Sequence, residues 1–247
     1  MYIDDVGIVL QTVGYDDSSS VAHIFTRSSG HVSFMVTRSR SRTSPLASIP
    51  ALVRPLNILS FQWDCRPTAH LARLKDVHPQ HVWQTLGTDP IKASVTLLLG
   101  EFLVYALRGE GENTPLFDYV DASLQWYDTA SAGFVNFHLA FLLKITRFLG
   151  VAPDVEAWTE GASLVLDTST FVVCPLLTTD RQPLILPPAD TALLMQLLLS
   201  DYSALSAIAM RRHDRARLLA AIERYYIHHI PGFPPLKSPA ILSSLFD

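Results

Sequence analysis

The chain has 247 residues, 49% of them hydrophobic and only 17% charged, with a formal net charge of −4. That composition supplies a packed core and excludes a disordered chain, while two cysteines, Cys65 and Cys174, exclude both a disulfide framework and a four-cysteine zinc site. The charge is uneven: residues 1–80 hold eight Lys and Arg against six Asp and Glu, a net of +2, whereas residues 81–247 carry −6.

Val6–Gly14, Ser20–Arg27 and His31–Arg38 are rich in β-branched and aromatic residues and predict strands. Gly14-Tyr15-Asp16-Asp17 and Ser28-Ser29-Gly30 punctuate them as turns, the second short enough for a hairpin. The third strand runs into Arg38-Ser39-Arg40-Ser41-Arg42. If it continues as a strand, alternation puts the guanidiniums of Arg38, Arg40 and Arg42 on one face at intervals of about 7 Å. Between Ser18 and Trp63 the chain has five arginines and not one Asp or Glu. Such a row suits a phosphate backbone; a solvated Arg/Ser loop is the other reading of the same run. Prolines 45, 50 and 55 break the pattern and Leu56–Cys65 resumes it, so four or five short strands predict a small barrel or sandwich.

From about Thr68 the spacing becomes that of helices. Asp89-Pro90 predicts an N-cap with a first-turn proline, opening an apolar helix to Leu107. Asn113-Thr114-Pro115 repeats the signal, and Leu116, Val120, Leu124 and Tyr127 follow at helical spacing. Phe134–Leu149 reads as a buried helix with Gly150 as its stop. Residues 151–190 read as irregular, with strand-like Ser163–Val173. Asp190 reopens helix, Asp214–Ile230 continues it, and Ser238-Pro239 starts a terminal helix. The apolar stretches Ala93–Leu107 and Phe134–Leu149 are too short and too polar to read as membrane spans, and the first ten residues carry no secretory pattern, so the expected location is cytoplasmic.

Catalytic signals are missing. No glycine-rich nucleotide loop and no GxSxG elbow occurs. Asp16-Asp17 sits in an apparent turn without a nearby histidine. His228 and His229, adjacent on a helix, point about 100° apart and do not readily share a metal ion. His138 reads as a core histidine. For stacking on nucleic-acid bases the candidates are Tyr15, Phe34 and Trp63, although aromatics at strand spacing also suit a core. Lys144 and Arg147, one turn apart, could rim a site for an acidic partner or simply snorkel from a buried helix. Arg211, Arg212, Arg215 and Arg217 form a second basic cluster.

Gly7-Ile8-Val9-Leu10, Tyr15-Asp16-Asp17-Ser18-Ser19, Phe25-Thr26 and Gly30 resemble the opening strands and turns of the bacterial DNA repair family RecO, in its Bacteroidetes-like form. Arg38–Arg42 and Pro55-Leu56 follow in the family's order. Lys92-Ala93, Gly100-Glu101-Phe102-Leu103, Leu116-Phe117, Asn136-Phe137-His138-Leu139, Arg147-Phe148-Leu149-Gly150 and Leu236-Lys237-Ser238 resemble its helical core and terminal helix. The resemblance implies an α+β two-domain protein, with an N-terminal OB-fold β-barrel over residues 1–80 and a mainly α-helical C-terminal domain over residues 81–247. It implies a non-catalytic, cytoplasmic and nucleoid-associated recombination mediator that binds single- and double-stranded DNA and anneals strands. Its implied partners are RecR and the C-terminal tail of single-stranded DNA-binding protein, with RecA loaded at gaps. Arg27, Arg38, Arg40, Arg42, Arg54, Arg66, Arg73 and Lys75 would contact DNA, and Lys144, Arg147, Arg211, Arg212 and Arg215 a partner. Some members carry a four-cysteine zinc module; residues 151–190 would replace it here, with Trp158, Leu164 and Phe171 as an apolar cluster, and no cofactor is expected. A protein-binding adaptor without affinity for nucleic acid is the alternative.

Overall fold

The computed structural model describes residues 2–37, 49–65, 71–173 and 184–240. The chain forms two compact units, Met1–Asp128 and Thr129–Asp247.

In the first unit, β1 (Tyr2–Gly14), β2 (Ser19–Thr26), β3 (Gly30–Thr37), β4 (Ile58–Asp64) and β5 (Ala72–Pro79) form one sheet, with the short helix α1 (Ile49–Leu52) between β3 and β4. Period-2 alternation sets their inward face. Ala22 and Ile24, Phe34 and Val36, Leu59, Phe61 and Trp63, and Ala72 and Leu74 share one apolar core. The long β1 pairs with β4 over Tyr2–Ile8 and with β2 over Gly7–Gly14, with an irregularity between Val9 and Gln11. At Gly7 a Cβ would lie 2.4 Å from Ile24 Cγ2, so the close approach requires glycine. Gly30 closes the β2–β3 hairpin at φ +72°, and a Cβ there would meet the carbonyl oxygen of Gly111 at 2.1 Å.

Two expectations are corrected here. Ala72–Pro79 is a strand and not the onset of helix: Ala72 and Leu74 are buried while Arg73 and Lys75 are exposed, a period of two hidden in a charged stretch. The OB-fold β-barrel is also corrected. Pairing does run in the order β1-β2-β3-β5-β4 and back to β1. The sheet is mixed, however, and is not closed as a ring round one axis. Among the described residues β3 and β5 meet in parallel through two register pairs, Phe34 with Ala72 and Met35 with Arg73, while the other pairings of the sheet are antiparallel. A regular barrel needs a common tilt and stagger carried through every ladder until the sheet closes on itself, and this sheet does not close in that way.

Helices α2 (Pro90–Ala106) and α3 (Thr114–Thr129) belong to the same unit. The Asp89 carboxylate accepts from the backbone amides of Ile91 and Lys92 at 2.9 and 3.0 Å, with Pro90 in the first turn as expected. Asn113 Oδ1 accepts from Leu116 N at 3.1 Å, and Leu116, Val120, Leu124 and Tyr127 are all buried. Phe25 on β2 packs on Phe117 of α3. A buried polar knot ties the unit's end to its middle. The Asp128 carboxylate accepts from the backbone amides of Gln84, Thr85 and Leu86 at 2.7–3.1 Å. Lys92 Nζ, itself buried, donates to the Thr85 hydroxyl at 2.9 Å and to the Asp128 carbonyl at 2.8 Å.

In the second unit a short 3-10 turn, Phe134–Asn136, leads into α4 (Phe137–Phe148), which is buried over most of its length. Gly150 ends it at φ +70°, with Val151 N donating back to Thr146 O at 2.9 Å. The expected irregular segment contains a small antiparallel sheet of β6 (Ser163–Val165), β7 (Thr170–Val172) and β8 (Ile185–Leu186), in the order β7-β6-β8. Leu164 is its buried centre and pairs with Phe171; Trp158 is half-buried. Helix α5 (Pro188–Leu199) opens two residues before Asp190, a 3-10 turn covers Tyr202–Ala207, and α6 spans Arg212–His229. Arg217 on α6 forms a forked pair with the buried Asp190, both bonds at 2.7 Å. No helix of the described residues is long and apolar enough to cross a membrane.

Candidate nucleic-acid interface

Strand alternation that buries Ala72 and Leu74 necessarily turns Arg73 and Lys75 to the outer face of β5. Arg73 is the register partner of Met35 on β3, and Lys75 that of Gln62 on β4. Lys75 Nζ lies 3.9 Å from the ring centroid of Tyr2, and Gln62 Nε2 donates to Asp4 at 2.8 Å. This outer face thus carries two cations, an aromatic ring and amide and carboxylate groups.

The remaining predicted cations fare differently. Arg38, Arg40, Arg42 and Arg66 lie outside the described residues. Arg54 is exposed in the turn after α1, a turn held by Leu56 N on Val9 O at 2.7 Å and Asn57 Nδ2 on Leu52 O at 2.8 Å. Arg27 is already engaged. Its guanidinium grips Asp118 with two bonds of 2.9 and 3.1 Å, which raises its pKa and lowers that of Asp118. Phosphate contact at Arg27 would have to compete with that pair.

Of the stacking candidates, Phe34 and Trp63 are core residues, packed edge-to-face on each other at 5.5 Å, with Trp63 Nε1 donating to Asp5 at 3.1 Å. Tyr15 stands 68% exposed in the β1–β2 turn. Tyr2, half exposed over Lys75, was not among the candidates: a lone aromatic at the first strand position has no local pattern to mark it. Asp16 accepts from the amide and hydroxyl of Ser18 at 2.7 and 3.0 Å, which makes Asp16-Asp17 a turn device.

In the second unit Lys144 Nζ and Arg147 Nη2 both donate to the carbonyl of Leu198, at 3.1 and 3.4 Å, in the last turn of α5. Two cations there offset the negative end of the helix dipole. Burial, and then the neighbouring Arg147, push the Lys144 amine below its usual range, against the pull of Asp201. Arg147 remains exposed, as does Leu199 nearby. At the start of α6 the backbone amide of Arg211 donates to Asp214 at 2.9 Å, and Arg215 Nη1 donates to the Met210 carbonyl at 2.8 Å. Arg212 is exposed. His229 Nε2 lies 2.8 Å from the Leu166 carbonyl and its ring packs on Tyr225, an assignment to packing. His138 is buried, and its Nδ1 has no hydrogen-bond partner. Among the described residues no group of three or more His, Cys, Asp or Glu could hold a metal ion.

Comparison with known proteins finds two matching family descriptions, "Recombination protein O N terminal" over residues 1–82 and "Recombination protein O C terminal" over residues 87–240. The chain is 39% identical over 243 residues to a protein of Phocaeicola vulgatus, covering 98% of each chain. It is 38% identical over 243 residues to a protein of Bacteroides fragilis, again covering 98% of each. A protein of Porphyromonas gingivalis is 32% identical over 250 residues, covering 100% of both chains. Each of the three is named DNA repair protein RecO.

Proposed function

The chain belongs to the recombination protein O family, and on that premise we propose that it is a non-catalytic DNA-binding mediator of recombination in DNA repair. It binds and anneals single strands, and with RecR helps RecA load at gaps coated with single-stranded DNA-binding protein. The observation that carries this reading is the outer face of β5. Arg73 and Lys75 stand exposed there, and Arg73 pairs in register with β3, the strand whose sequence continues into Arg38-Ser39-Arg40-Ser41-Arg42.

Cations on a strand face hold phosphates and leave base edges free, which is what annealing requires. Binding is therefore insensitive to base sequence and falls steeply with salt. Arg38, Arg40, Arg42, Arg54 and Arg66 are further proposed phosphate contacts, and Arg27 another, where phosphate competes with Asp118. In the second unit Arg147 and Lys144, beside exposed Leu199, offer cationic and apolar contacts to an acidic partner tail; Arg211, Arg212 and Arg215 are a further partner surface.

The test is single-stranded DNA binding by fluorescence anisotropy across a salt series, wild type beside an Arg73→Ala, Lys75→Ala double variant. Each phosphate contact removed flattens the log–log salt slope by about 0.7, so the double variant loses about 1.4. An unchanged slope removes these two residues from the track. No binding by folded wild type at low salt leaves a protein-binding adaptor as the function.

A further inference from the structure

The geometry points to Tyr2 as a base-stacking platform that gives this chain a preference for single-stranded over double-stranded nucleic acid. The inference rests on the DNA-binding reading above and adds to it a residue and a selectivity.

Tyr2 is the first residue of β1 and lies on the sheet's outer face, since its neighbour Ile3 packs against the inner core. Tyr2 is 50% exposed although Lys75 Nζ sits 3.9 Å from its ring centroid. The ammonium group holds the ring by cation–π attraction and sets a cation directly beside it. Arg73, two residues back on β5, is exposed and faces the same way. Gln62 and Asp4 bond each other at 2.8 Å on the adjoining rung, which occupies the Asp4 carboxylate, while Asp64 is the register partner of Tyr2 itself. The face is therefore mixed in charge, and an aromatic ring contributes what phosphate attraction alone cannot.

Unpaired bases expose a π-face to such a ring; in a duplex those faces are already stacked on their neighbours. Charge alone attracts both forms. The ring discriminates between them.

The full-length protein, with Tyr2→Ala and Tyr2→Phe variants, is titrated at fixed salt with a labelled thymidine oligonucleotide and with a duplex of equal length. Tyr2→Ala is expected to weaken single-strand binding about tenfold, a typical loss for one stacked base. Duplex affinity stays within about twofold, the single-strand salt slope is unchanged, and Tyr2→Phe retains wild-type binding. Equal losses on both forms, or no loss on the single strand while wild type binds it, overturn the platform and leave the phosphate track intact. If folded wild type binds neither form, the DNA-binding reading fails and the platform falls with it.

Discussion

Replacing Asp128 with alanine is expected to lower the stability of the first unit by about 3–5 kcal/mol, the range for breaking a buried charge network by removing one member. The carboxylate answers the amides of Gln84, Thr85 and Leu86, all donating within 2.7–3.1 Å. Without it the buried Leu86 amide loses its acceptor, at about 1–3 kcal/mol for an unsatisfied buried group, and the half-buried Thr85 and exposed Gln84 amides lose theirs. Lys92 would keep the Asp128 carbonyl but lose the nearby negative charge, leaving a buried ammonium less well compensated. Asp128→Asn should fall between, because one amide oxygen still accepts while its NH2 group opposes the donors. Burial alone would raise this carboxyl's pKa, but the three amides and the Thr85 hydroxyl outweigh it and hold it below the usual range. Its contribution is thus present above an unfolded value of about 4 and is lost as pH falls through the lower folded value. Urea unfolding of each variant by circular dichroism checks the order; a loss under about 1 kcal/mol for the alanine variant would refute the account.

The second large effect is acid sensitivity at His138. Burial first, and then the positive charge of Arg215, push its imidazole down to about 4, against the opposing influence of the Val135 carbonyl. The folded state therefore keeps the ring neutral, while the unfolded chain begins to bind its proton near 6.5. The stability it contributes is complete above pH 6.5 and drains away as pH falls toward 4, about 3 kcal/mol by that point. His138→Leu removes the proton site while keeping an apolar group in the core. Unfolding free energies measured at pH 7 and pH 4 should differ by about 3 kcal/mol less in that variant than in wild type. Burial also lowers the pKa of His23 and His31, so the difference between the two proteins isolates His138. Parallel pH profiles would show that the buried ring is not titrating in this window.

Local signals in the sequence carried much of this fold. Asp89 and Asn113 announce two helix starts because a cap acts within three residues, and the stripe from Leu116 to Tyr127 repeats at the helical period. The first three strands are legible from β-branched alternation. What failed depends on distant partners. The grip of Arg27 on Asp118 spans 91 positions, so composition alone counts Arg27 as an unneutralised cation. Phe34 and Trp63 look equally suited to stacking or core until the register puts both inside with Phe61. Whether five strands wrap into a barrel is set by how β3 meets β5, a pairing between residues 34–35 and 72–73 that no local period encodes. Tyr2 gains its meaning only from Lys75, on another strand.

That two-pair joint between β3 and β5 also governs how the sheet breathes. Among the described residues the antiparallel ladders of this sheet share four to eight register pairs, four in β4 with β5 and eight in β2 with β3, so rupture of the parallel seam sacrifices the fewest hydrogen bonds. Local opening follows the least-bonded path. Amide protons at the seam should exchange with solvent well before those of Val21 or Phe61, and the edge carrying Arg73 would swing as a flap hinged on β4. The same strand that presents the cations would then be the most readily unlatched part of the sheet.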